Sequence, residues 1–219
     1  MRAALSVALC AIFVTATTAA SAQSPRAGQV ELTAGAAYSF SDSVEGRNGS
    51  SLDLSSRTGI RVGVEYFSTS KLSLGFDATW LRPSYTAELV PDDGSETVTI
   101  GHRSSIFSGH FTGTYYFLEG QVMPFVEAGL GWTYFDSNVS DGAPIVGCWW
   151  DPLWGYVCSD FYSTYDATNF SYGAGVGLRW NLGPDMAINA GYRWLEIEAD
   201  GLRKKPTMES AVIEFVYSY

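Results

Sequence analysis

Apolar and polar residues alternate along most of the chain. Val30, Leu32, Ala34, Ala36, Tyr38 and Phe40 share one parity, and Glu31, Thr33, Gly35, Ala37 and Ser39 share the other. A period of two puts successive side chains on opposite faces of an extended backbone, so it predicts a half-buried strand. The pattern returns at Ile60, Val62, Val64 and Tyr66, then at Leu72, Leu74, Phe76, Ala78 and Trp80. Phe107, Phe111, Tyr115 and Phe117 make a fourth strand, with Gly109 and Gly113 between them, and Val122, Val126, Ala128, Leu130, Trp132 and Tyr134 a fifth. Phe170 to Leu182, Met186 to Trp194 and Ala211 to Tyr219 repeat it on alternate positions, which brings the prediction to eight strands.

The connections alternate in length. Ser68-Thr69-Ser70, Leu118-Glu119-Gly120 and Gly183-Pro184 are short and carry turn residues. Residues 41–56, 83–101, 137–167 and 199–206 are longer, polar and acidic, and are expected to be loops. Tight turns at one rim and long loops at the other mark a transmembrane barrel rather than a soluble sandwich. Rings on the apolar parity gather at both strand ends. Tyr38, Phe40, Trp80, Phe107, Trp132, Tyr134, Phe170, Tyr172, Tyr192 and Trp194 fall at the long-loop rim, and Tyr66, Tyr115, Phe117, Trp180, Tyr217 and Tyr219 at the other. Two aromatic girdles are expected where a lipid-facing band meets water. The predicted fold is all-β, an eight-stranded antiparallel up-and-down transmembrane β-barrel.

The opposite parity would line the lumen. It carries Glu31, Arg61, Glu65, Asp77, His110, Glu127, Arg179, Arg193 and Glu214 among Gly, Ser, Thr and Asn. Buried charges are costly unless paired, so Glu31, Arg61, Glu65, Asp77, Glu127, Arg179, Arg193 and Glu214 are expected to form an ion-pair network. Eight strands enclose a space that side chains fill, which argues against a continuous water path.

Composition removes several alternatives. Of the 219 residues 46% are apolar, 15% aromatic and 16% charged, too much ring surface and too little charge for disorder. Thirteen Lys and Arg against 23 Asp and Glu give a formal charge of −10, which leaves no basic face for nucleic acid. The longest apolar run is at the N-terminus: Arg2, an apolar stretch from Ala3 to Val14, and Ala20-Ser21-Ala22 before Gln23 read as a signal peptide over residues 1–22, with the barrel domain over 23–219. Cys10 leaves with the leader, and Cys148 and Cys158 remain as an even pair in an exported protein, where a disulfide is expected.

Together with the leader and the eight strands, the terminal Phe215-Val-Tyr217-Ser-Tyr219 makes the chain resemble the outer-membrane β-barrel domain family of Gram-negative bacteria, in its OmpA/OmpX-like eight-stranded form. The resemblance covers essentially all of residues 23–219. It implies residence in the outer membrane among its lipids, and a last strand whose Phe215, Tyr217 and Tyr219 are read by the barrel-assembly machinery. The chain stops at that strand, so a periplasmic peptidoglycan-binding domain is not expected. Gly147 to Cys158 is no part of the family's general pattern.

Other candidate chemistry is thin, and neither cofactor nor metal is expected. His102-Arg103-Ser104 is similar to the His-x-Ser pair of outer-membrane lipid A deacylases, but a Ser–His site needs a carboxylate to orient the base, and the next acid, Glu119, belongs to a turn at the opposite rim. Gly173-Ala-Gly-Val-Gly177 lies in a strand pattern and lacks the Lys and helix of a phosphate loop. Asp136 to Gly142 gathers oxygen ligands without EF-hand spacing. The third long loop is the unusual segment, with Trp149, Trp150, Trp154 and Tyr156 on or between its cysteines. Rings at this density form either a lid over the barrel mouth or a contact surface. The expected function is a non-enzymatic membrane anchor with outer loops as interaction elements. An adhesin or receptor for an extracellular ligand comes next, then a narrow pore, and a lipid A hydrolase last.

Overall fold

A computed structural model describes residues 26–45, 50–90, 96–143, 145–161, 163–198 and 205–219. The leader lies outside these residues, as do residues 199–204 of the fourth long connection. The described residues form fourteen strands: β1 Val30–Ser39, β2 Asp42–Glu45, β3 Ser51–Leu54, β4 Arg57–Phe67, β5 Leu72–Leu81, β6 Ser84–Leu89, β7 Val98–Arg103, β8 Ser105–Tyr116, β9 Val122–Ser140, β10 Ile145–Asp151, β11 Gly155–Phe161, β12 Thr164–Asn181, β13 Met186–Ile197 and β14 Thr207–Ser218.

Eight of them close an antiparallel barrel in the order β1-β14-β13-β12-β9-β8-β5-β4. The β1–β14 ladder, from Glu31 opposite Ser218 to Ser39 opposite Ser210, leaves no free edge. Closure of this kind lets a sheet cross lipid with every backbone group paired. Leu32, Ile60, Leu74, Phe111, Leu130, Val176 and Ile213 point outward and are each more than half exposed. An apolar wall of this extent needs a lipid solvent. The inward residues are buried, from Glu31 and Arg61 to Thr133 and Glu214.

The long connections depart from the expected loops. Residues 41–56 contain β2 and β3, and residues 83–101 contain β6 and the start of β7, and the four strands pair as a sheet in the order β2-β3-β6-β7. The β6–β7 pairing keeps the register of β5–β8 beneath it, with Leu81 opposite Ile106, Ser104 N–H donating to Pro83 O at 2.9 Å, and Ser84 opposite Arg103. The hairpin is therefore the barrel ribbon carried past the membrane. Within residues 137–167, β9 and β12 stay paired as far as Ser140 and Thr164, with a register shift between Thr164 and Asp166, and β10 and β11 add a terminal hairpin.

Candidate functional site

The barrel interior is filled in layers. At the rim of the tight turns Phe67, Tyr116, Met123 and Phe125 form a buried plate. Phe67 and Phe125 each stand 5.6 Å, ring to ring, from Tyr116. Arg26, ahead of β1, lays its guanidinium 3.9 Å from the Phe67 ring centre and 4.6 Å from that of Tyr116. Such stacking is favourable because the ring face is electron-rich. The same guanidinium reaches Glu31 at 3.4 Å.

Above the plate lie the charges. Arg179 grips Glu31 through two bonds of 2.5 and 2.9 Å, and Ser218 Oγ donates to Glu31 at 3.0 Å. Arg61 is the hub, meeting Glu214 at 2.5 Å, Asp77 at 3.2 Å and Glu127 at 3.3 Å. Arg193 closes the circuit onto Asp77 at 3.2 Å and Glu127 at 2.6 Å. Five strands thus contribute to one cluster. Two-point guanidinium contacts of this kind fix side-chain geometry as well as charge. Seven of the eight predicted residues are joined in ion pairs. Glu65 is the exception. Arg61, Arg179 and Arg193 are spent on the other acids, and the Glu65 carboxylate instead accepts from Ser73 Oγ at 2.7 Å.

Toward the outer rim the polar layer gives way to His110, whose Nε2 meets Ser171 Oγ at 2.9 Å, and to Thr133, which donates to the same oxygen at 2.9 Å. Leu81, Ile106, Ile197 and Met208, backed by Phe135 and Leu195, complete the stack as an outer apolar layer. The voids left inside are small, about 40 Å³ beside His110 and Arg193 and about 10 Å³ beside Glu65 and Glu127. A void must offer about 10 to 15 Å³ to hold one water, so the first has room for a few waters and the second for about one.

Both apolar layers were missed in the sequence. Phe67 and Tyr116 sit on the inward parity beside the outward rings Tyr66, Tyr115 and Phe117, and Phe125 sits on the inward parity between Pro124 and Val126. The alternation remains legible at all three positions, and assigning each ring by parity would have found the plate.

The outer hairpin is built as a rigid element. Cys148 and Cys158 face each other across β10 and β11 with Cα atoms 4.0 Å apart and are disulfide-bonded. At the tip, Asp151 Oδ1 accepts from the backbone of Leu153 at 2.8 Å and of Trp154 at 3.0 Å, and Pro152 follows Asp151. Gly155 adopts φ 78°, a left-handed conformation that closes the turn without a Cβ clash. Trp150 pairs with Tyr156 on the face that carries the disulfide. Trp150 is 74% exposed, Leu153 84%, Trp154 79% and Tyr156 69%. Trp150, Trp154 and Tyr156 thus stand open to solvent, the paired backbone of β9 and β12 reaches Ser140 and Thr164 before the hairpin begins, and the barrel's outer end is filled by Leu81, Ile106 and Met208 with the buried Tyr85 beyond them. The Tyr85 hydroxyl donates to Ser137 O at 3.2 Å, and burial raises its pKa. The side chain of Trp149 lies outside the described residues.

The remaining candidates are dispersed. His102 is exposed on β7, whereas Ser104 is buried with its hydroxyl on Pro83 O at 3.4 Å, and no hydrogen bond joins His102 to Ser104 or to a carboxylate among the described residues. Gly173-Ala-Gly-Val-Gly177 runs inside β12, where a Cβ at Gly173 would fall 2.3 Å from Trp194 O. Asp136 Oδ1 is occupied by the backbone N–H of Asn138 at 2.8 Å, and no group of three or more metal-binding side chains occurs among the described residues. Phe215 and Tyr217 point outward from β14 and Tyr219 follows it, 93% exposed.

The pattern of an outer membrane protein beta-barrel domain matches residues 6–219. The chain belongs to that family. Among solved structures it is similar to the neisserial surface protein A, with 17% identity and a TM-score of 0.52 over 86% of this chain and 95% of that one. Ail, the attachment invasion locus protein of Yersinia pestis, gives 15% identity and 0.51 over 88% and 99%. OprG from Pseudomonas aeruginosa gives 13% and 0.53 over 88% and 96%. At these identities the likeness is one of fold. No curated protein matches the chain significantly in sequence.

Proposed function

We propose that this outer-membrane barrel is a non-enzymatic anchor, resident in the bacterial outer membrane, whose outer ribbons meet extracellular partners. The observation that carries the reading is the seal of the lumen at three levels, by the Phe67–Tyr116–Phe125 plate, the Arg61 cluster and the Leu81–Ile106–Met208 layer. A barrel so filled favours an anchor over a transport path, with contacts made by the ribbons beyond the membrane. That no hydrogen bond joins His102 to Ser104 or to a carboxylate among the described residues supports a role without hydrolysis. Residues 1–22 would be the leader, removed before Gln23, and Phe215, Tyr217 and Tyr219 the signal for the assembly machinery. The eight lumen residues Glu31, Arg61, Glu65, Asp77, Glu127, Arg179, Arg193 and Glu214 would serve stability.

A second reading, adhesin or receptor, is favoured by the exposed Trp150, Leu153, Trp154 and Tyr156 on a stapled hairpin. Both are tested by displaying the chain on a non-adherent Gram-negative host and counting attachment to cultured epithelial cells. Attachment that falls at least tenfold when residues 145–161 are replaced by Gly-Ser, with lipid A unaltered by mass, is expected. Attachment indifferent to the hairpin would overturn the contact surface, and a lipid A mass change dependent on His102 would overturn the non-enzymatic reading.

A further inference from the structure

We infer that the β10–β11 hairpin docks on an apposed bilayer of zwitterionic lipid by burying its tip among the headgroups. The inference rests on the contact-surface reading above and names its partner. Leu153 and Trp154 occupy the turn, and Trp150 and Tyr156 stand side by side just below it. Trp and Tyr favour the bilayer interface because each joins a broad apolar ring to one polar atom, and Leu adds the apolar point that enters the acyl boundary. The shape is already fixed by the disulfide, by the two amide bonds to Asp151 and by the left-handed Gly155. Docking then costs little ordering of the segment, which is how preorganisation raises affinity.

Charge selects the surface. Residues 145–161 include Asp151 and Asp160 and contain no Lys, Arg or His. Cations are what draw a protein segment to anionic lipid, so this tip is repelled by phosphate-rich leaflets, including the lipopolysaccharide leaflet around its own barrel. A choline headgroup offers the opposite match, a quaternary ammonium for the Trp faces and no net charge to oppose the aspartates. Reach agrees with an external target. Beyond the Trp132 and Tyr134 level, β9 runs six further residues to Ser140, and β10 adds seven. At about 3.3 Å per residue that contour exceeds roughly 40 Å.

The test uses the full chain held in amphipol and floated with large unilamellar vesicles of phosphatidylcholine or of phosphatidylglycerol. We expect flotation with phosphatidylcholine, at least tenfold weaker flotation with phosphatidylglycerol, and loss of at least tenfold in Leu153→Glu with Trp154→Glu. These are exposed turn positions, and an unchanged heat-dependent gel shift of the double variant shows that its barrel is intact. Trp fluorescence quenched by brominated phosphatidylcholine in the parent but not in the variant places the tip in the bilayer. Equal or stronger binding to phosphatidylglycerol, or a double variant that floats like the parent, overturns the inference. If the parent fails to float while cell attachment still depends on residues 145–161, the partner is a protein or glycan: the lipid assignment fails and the contact surface stands. If attachment ignores the hairpin as well, both fail.

Discussion

Arg61 shows how a single side chain can govern a barrel interior. Its guanidinium meets three carboxylates from three other strands, Asp77, Glu127 and Glu214, in a space from which solvent is almost absent. Removing it strands acids that cannot be rehydrated, and breaking a buried pair in this way costs about 3 to 5 kcal/mol. Arg61→Met should therefore lower the urea midpoint of the refolded protein by the equivalent of about 3 to 5 kcal/mol. Glu65→Gln is the internal control. Glu65 has no ion pair among the described residues, and an amide oxygen still accepts from Ser73, so the change should be worth under about 1 kcal/mol. Equal losses in both variants would mean that pairing is not what the lumen charges contribute. Strand parity in the sequence was sufficient to place every one of these charges inside. Which acid meets which arginine was not legible, because partners such as Arg179 and Glu31 lie on strands far apart in the chain and their reach depends on stagger around the barrel. Arg26 was invisible for another reason: it precedes β1, so no periodicity marks it as a lumen residue.

The elements repeat one device, a ribbon that starts in the membrane and continues beyond it. Inside the bilayer each strand has a lipid face and a lumen face, and the two solvents write a clear alternation into the sequence. Beyond the aromatic belt the outward face meets water, the alternation fades, and β2, β3, β6, β7, β10 and β11 read as polar loops although their backbones stay paired. Eight strands were thus legible and six were not. Crowding within the ladder gives a prediction at this scale. Gly173→Ala would press a methyl against the Trp194 carbonyl and should destabilise by about 1 to 3 kcal/mol, the usual cost of overpacking. Gly113→Ala, whose new carbon would meet nothing nearer than Leu74 at 3.6 Å, should change stability by less than about 0.5 kcal/mol. Urea midpoints in vesicles separate the two. The hairpin supplies another. Its disulfide joins cysteines ten residues apart, a loop whose closure is worth about 2 to 3 kcal/mol in the chain-entropy model. Replacing both Cys148 and Cys158 by Ser should leave the gel shift of the barrel intact and raise protease cleavage between Ser137 and Ala167. Cleavage unchanged by the substitution would show that the turn bonds to Asp151 alone hold the segment.

At the scale of the whole molecule, the barrel is closed by unlike materials in series, and this redundancy makes a sharp electrical prediction. Ions crossing it would have to pass the aromatic plate with Arg26 stacked on it, then the Arg61–Arg193 cluster, then the apolar layer at Leu81 and Ile106. The first and last offer ions little hydration, and the middle one holds its charges in fixed pairs that moving ions would have to break. Barriers in series do not vanish when one is lowered. The native chain in planar bilayers should therefore show no steady unit conductance, and neither should Phe67→Ala, although that truncation costs about 3 to 5 kcal/mol of stability by leaving a cavity in the plate. Retention of the gel shift identifies the variant as folded before it is recorded. Stepwise conductance in Phe67→Ala but not in the parent would mean that the plate is the sole gate, that the inner layers are wet and mobile, and that the barrel is a gated pore rather than an anchor. Silence in both, with attachment still dependent on the hairpin, would place all the function of the molecule above the membrane, where its exposed rings are.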